Sequence, residues 1–202
     1  MNDCCHTPHQ PHDPTMRQAL QKAFAVNALM FVVELGAAFY AKSIAVLADS
    51  MDFFSDATAF GLGLYALNRS KHFRARFALV NAGLMVSLGL GVMVEAVSRL
   101  QHPVTPNAAL MGGVGATALI ANLLSAWWLY QHRTGDSLQQ SFWLCSRNDA
   151  LNNIAVILAS LAVYFTQSHW PDMLVALLLM TLEIQSAYKV ARQAMQELAT
   201  GS

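Results

Sequence analysis

Six runs of about twenty mostly apolar residues fill nearly all of this chain, and several of them carry buried-looking carboxylates. A run of that length crosses the hydrocarbon core of a bilayer as a helix. The spans are expected at roughly 19–40, 44–68, 76–98, 108–130, 142–166 and 171–192. Polar and turn-forming residues punctuate them, as at Asn68-Arg69-Ser70-Lys71, Pro103 to Asn107, Arg133-Thr134-Gly135-Asp136 and His169-Trp170-Pro171. Only 12% of residues are charged, about half the ~25% of soluble domains. The expected fold class is therefore an all-α membrane protein, a six-helix transmembrane bundle.

The domain expectation follows directly. Residues 1–18 read as a flexible His/Cys-rich tail, 19–193 as the membrane domain and 194–202 as a short tail. The first twenty residues are polar and the first apolar run is long enough to span, so no cleavable signal peptide is expected. Formal net charge is zero, which gives no electrostatic case for nucleic acid. Cys4 and Cys5 are adjacent and Cys145 stands alone in an apolar run, which is no disulfide framework.

Charge bias orients the bundle. Arg17, Lys22, Arg69, Lys71, Arg74, Arg76, Arg133, Lys189 and Arg192 fall on one side; only Lys42 and Arg99 fall on the other. By the positive-inside rule, both termini are expected in the cytoplasm, in a multi-pass protein of the cytoplasmic (inner) membrane. Trp127, Trp128, Tyr130, Trp143 and Trp170 sit at span ends, where interfacial aromatics belong.

Two patterns carry the chemistry. Asp52-x-x-x-Asp56 and Cys145-x-x-x-Asp149 each place two potential metal ligands one helical turn apart on one face. Asp49 extends the first into an i, i+3, i+7 stripe, and Asn148 and Asn152 join the second. An ionised side chain at membrane depth is expensive and needs a partner, a proton or an ion. Packed together, the two stripes make a polar pocket suited to a divalent cation. Crowded carboxylates cannot all stay charged without a counter-charge, so protons would occupy the empty pocket and a cation would displace them. The plainer alternative is that these groups only hydrogen-bond helices together. Arg147, near a span end, reads as a structural or snorkelling residue.

The stretch from Glu34-Leu-Gly-Ala-Ala through Ala48-Asp49-Ser-Met-Asp52-Phe-Phe-Ser-Asp56, with Cys145-Ser-Arg-Asn-Asp149 and Glu95-Ala-Val-Ser-Arg99, resembles the cation diffusion facilitator family of metal transporters. The resemblance covers the six spans in order. It implies tetrahedral binding of a divalent cation between helices two and five, and export from the cytoplasm by alternating access with proton antiport. Carried over, the ligands are Asp52, Asp56, Cys145 and Asp149, with Asp49 at a further acidic position. Asn27 and Glu34 match supporting polar positions of helix one. The cation, zinc first and cadmium or others next, is the substrate; no resident cofactor is expected. A homodimer formed through the membrane helices is expected.

Two departures from the family pattern matter. Asp52 and Cys145 stand where histidine is common. A thiolate favours soft or borderline ions and carboxylates favour harder ones. Cys145 has a second reading as a small core residue, with Asn148 or Asn152 completing the shell. The family's usual C-terminal cytoplasmic domain has no counterpart before Ser202, so a membrane-only member is expected. Cys4, Cys5, His6, His9 and His12 form a weak candidate for metal capture, against the reading of a tail with incidental ligands. The competing functions are a membrane metal sensor or subunit and a metal-dependent membrane enzyme. No nucleotide-binding or hydrolase motif supports the last.

Overall fold

A computed structural model of the chain describes residues 14–65, 71–130 and 137–200. Those residues form six helices: α1 (Pro14–Ala41), α2 (Ile44–Tyr65), α3 (Lys71–Gln101), α4 (Ala108–Tyr130), α5 (Ser137–Thr166) and α6 (Trp170–Thr200). The expected all-α, six-helix bundle is what the described residues form. Five of the helices are long and apolar enough to cross a membrane. The exception, α2, carries three aspartates within its 22 residues.

Helix ends differ from the sequence expectation at several places, among them the start of α3, at Lys71 rather than near 76. α1 starts at Pro14, inside the stretch read as tail, because proline suits a first helical position. Ala19, Leu20 and Ala23 then pack against Phe60 and Leu129. α5 begins at Ser137, and α6 continues to Thr200 through residues read as a second tail. At 1.5 Å per residue, its 31 residues reach about 46 Å, beyond a hydrocarbon core of about 30 Å.

α2 touches all five other helices and is the centre of the bundle. The tightest pairs around it are α1 with α2, α4 with α5, and α3 with α6. Small residues set two of these approaches. A Cβ added at Gly115 would lie 3.2 Å from Ile157 Cγ1, and one at Gly112 would lie 2.7 Å from Ser160 Oγ, so α4 meets α5 almost backbone to side chain. Gly89 admits Met180 of α6 in the same way, whereas Gly91 and Gly113 face open space.

The end of the bundle away from the termini is pinned by polar contacts. Lys42 adopts a left-handed conformation (φ 54°) and ends α1, with the Ser43 amide bonded back to the Ala38 carbonyl at 3.1 Å. Ser43 then caps α2 by accepting from the Val46 amide at 3.1 Å. The buried carboxylate of Asp172, on the first turn of α6, completes the cap. It accepts from Ser43 Oγ (2.6 Å), the Ile44 amide (2.9 Å) and the Ala45 amide (3.1 Å). Arg99 of α3 pairs with Glu95 at 2.7 Å and donates to the Lys42 carbonyl at 3.1 Å. The Asn107 amide donates to the Ala41 carbonyl at 2.8 Å, while Asn107 Oδ1 caps α4.

Asp172→Ala leaves Ser43 and two buried amides without their acceptor. The expected loss is about 3 kcal/mol of stability, since bonds to a charged group are the stronger kind. Thermal unfolding of the detergent-purified protein measures it; an unshifted transition would show that water replaces the carboxylate at no cost.

Candidate metal pathway in the bundle centre

Every aspartate of the α2 stripe meets a polar side chain from another helix. Asp49 is 1% exposed, and its two oxygens accept from Asn153 Nδ2 at 3.0 and 2.8 Å. Asn153 is in turn held by Asn122 of α4, whose Nδ2 donates to its Oδ1 at 3.0 Å. The buried Glu34 carboxyl of α1 lies against Asp49 from the other side. One turn along, Asp52 accepts from Asn152 Nδ2 at 3.0 Å and faces the Glu183 carboxyl of α6. A further turn along, Asp56 faces Asp149 of α5.

The result is a ladder of three carboxyl pairs: Glu34 with Asp49, Asp52 with Glu183, and Asp56 with Asp149. An ionised carboxylate only accepts hydrogen bonds, so two carboxyls bond each other only through a proton that one of them carries. Among the described residues, no three His, Cys, Asp or Glu side chains are gathered closely enough to form a metal shell. In this conformation the donors stand in pairs, one helical turn apart.

The expected stripes do meet. Asp49, Asp52, Asp56, Asp149 and Asn152 all lie in the ladder. Asn27 is fully buried nearby, donating to the Ala23 carbonyl at 2.8 Å and to Ser125 Oγ at 3.3 Å, so it ties α1 to α4. Asn148 is exposed and accepts from Arg147 Nη2 at 3.4 Å. Cys145 belongs to α5, but its side chain lies outside the described residues, as do Cys4, Cys5, His6, His9 and His12. The sequence does not single out Asn153, Asn122 or Asp172. An isolated amide or a loop-end aspartate carries no periodic signal, and only the packing of α2 against α4, α5 and α6 shows what each one binds.

Exposure rises along the ladder. Asp49 and Asn153 are fully buried, Asp52 nearly so, Asp56 and Asp149 half-buried and Asn148 exposed. The order runs toward the end of the bundle where α1 begins and α6 ends. A separate cavity of about 630 Å³ opens on the opposite face of α2, among Phe24, Phe31, Phe54, Tyr65, Phe73 and Phe77. Its apolar wall is unsuited to a partly dehydrated cation.

Comparison with known proteins bears on the family of the chain. Residues 20–199 match the model of the cation efflux transmembrane domain. The chain is 28% identical to the zinc transporter ZitB of Escherichia coli, over 96% of this chain and 66% of that protein. It is 23% identical to the cadmium, cobalt and zinc/H(+)-K(+) antiporter of Bacillus subtilis, over 96% of this chain and 67% of that protein. It is 24% identical to the metal cation efflux system protein CzcD of Cupriavidus metallidurans, over 83% of this chain and 57% of that protein. The chain thus spans about two thirds of the length of the first two relatives. With a family match over nearly its whole length and a bundle of six helices, this chain belongs to the cation efflux family, the cation diffusion facilitators that its sequence resembles.

Proposed function

We propose that this chain moves a divalent transition-metal cation, zinc first, out of the cytoplasm in exchange for protons, by alternating access. The observation that carries the reading is the ladder of carboxyl pairs on α2, buried in an apolar bundle. Each pair is stable without metal only while it holds a proton. A cation entering between Asp52, Asp56 and Asp149 supplies positive charge in the proton's place, so binding expels protons and protonation expels metal. The names of the relatives support it: one is a zinc transporter, and another is a cadmium, cobalt and zinc antiporter that uses protons.

The same geometry supports an outward direction. The ladder grows more exposed from Asp49 to Asp56, and the opposite end is closed by Asp172, Ser43, Arg99 and Asn107. The charge bias supports a cytoplasmic exposed end, with the ion entering past Asp149 and Asp56. Release on the far side requires the polar clamp around Ser43 to part. Binding is moderate in strength, because the ion must leave again. The bundle sits in the cytoplasmic membrane with both termini inside, and a second copy docks through the membrane helices.

Flux in proteoliposomes with an imposed pH gradient tests the proposal. Wild type carries zinc against protons, and Asp149→Ala lowers that flux by about tenfold or more, the scale of a lost contact to the metal. No flux for zinc, cadmium, manganese, cobalt or nickel would overturn it.

Proton release on zinc binding tests the exchange separately. Asp52→Asn releases fewer protons per zinc bound than wild type. Equal release would remove Asp52 as a source of the exchanged proton.

The metal preference tests Cys145. Cys145→Ser shifts preference away from cadmium, the softest of these ions. An unchanged ranking would leave Cys145 as a core residue.

A further inference from the structure

Glu183 is a buried carboxylate that the two-helix picture of the pathway leaves without a task. It sits about 20 Å along α6 from Trp170. It is 7% exposed, and it points at α2 rather than at lipid. Its carboxyl lies against that of Asp52, with Ser55 beside it and Asp56 and Asp149 close enough to act on it electrostatically. Its Oε1 is fully buried and has no hydrogen-bond partner among the described residues.

A brace between α2 and α6 explains this poorly. Asp52 already has a neutral brace in Asn152. A second carboxyl adds like charge at membrane depth, where an amide of the same shape would hold the helices without it. A cation shared by the two carboxyls takes the place of the proton between them and gives Oε1 a partner.

We infer that Glu183 is a direct ligand of the transported metal, contributed by a third helix, and that it adapts the site to harder divalent ions. The inference rests on the transport reading above. With Asp52, Asp56 and Asp149, Glu183 provides four carboxylate donors from α2, α5 and α6. Such an oxygen-rich shell accepts manganese, which carboxylates suit, beside zinc. Asp52 and Asp56 are separated by about 5.4 Å along the helix axis, one turn. The Asp52–Glu183 and Asp56–Asp149 pairs therefore stand on neighbouring turns of α2.

The test is competition binding of Mn2+ and Cd2+ to the full chain in detergent, for wild type, Glu183→Gln, Glu183→Asp and Asp149→Ala. Glu183→Gln keeps the shape and donates to Asp52, so the bundle stays folded. It weakens Mn2+ by about tenfold or more, the scale of a lost metal contact, and changes Cd2+ much less. Glu183→Asp falls between Glu183→Gln and wild type, and serves alone should the amide variant not fold. An unchanged Mn2+/Cd2+ ratio, with both affinities kept or both lowered together, overturns Glu183 as a ligand. Asp149→Ala separates the two readings. If it weakens both metals while Glu183→Gln changes neither, only the Glu183 assignment fails. If it too changes neither, the transport reading fails with it.

Discussion

A carboxylate at membrane depth has no water to solvate it, and that constraint organises this bundle. α2 carries three carboxylates, and α2 touches every other helix. The partners come from several directions: Glu34 from α1, Asn152, Asn153 and Asp149 from α5, and Glu183 from α6. Asn122 of α4 holds Asn153 in place. Solvating α2 and gluing the helices together are therefore the same set of contacts. Apolar packing alone would specify the arrangement weakly, since lipid tails are as apolar as leucine.

The two ends of α2 are restrained differently. Its first amides are capped by Ser43 from its own chain and by Asp172 from α6, and Arg99 holds the preceding carbonyl. The carboxylates of its later turns are the more exposed ones. A central helix fixed at one end, with polar groups increasingly exposed toward the other, is a suitable element for admitting an ion from one side at a time.

The chemistry of the ladder lies in its pairing. Lone buried carboxylates would have to be neutralised singly, whereas two facing carboxyls bond each other through one proton, which on the proposed reading a cation replaces. Glu183 widens this from a two-helix to a three-helix device. It couples α6, which also carries the Asp172 cap, to the same aspartate stripe that α5 grips. On the transport reading, metal entry and the clamp at the far end would act on one helix pair, α2 and α6.

The sequence by itself determined the six helices, their order and the residues that must avoid lipid. Apolar length and the i, i+3, i+7 spacing of Asp49, Asp52 and Asp56 are local properties of a helix. It also determined that the α5 stripe should meet that of α2, because two expensive polar faces must cover each other. It could not choose among the amides: Asn148 and Asn152 looked alike, yet one faces outward and the other binds Asp52. Nor could it place Glu34 against Asp49, Glu183 against Asp52 or Asp172 across the start of α2. Those partners lie on helices distant in sequence, and their rotation about the helix axes is fixed only when the six helices pack. Tertiary structure alone decided the pairing, because hydrogen bonds are short and directional and periodicity specifies only a face.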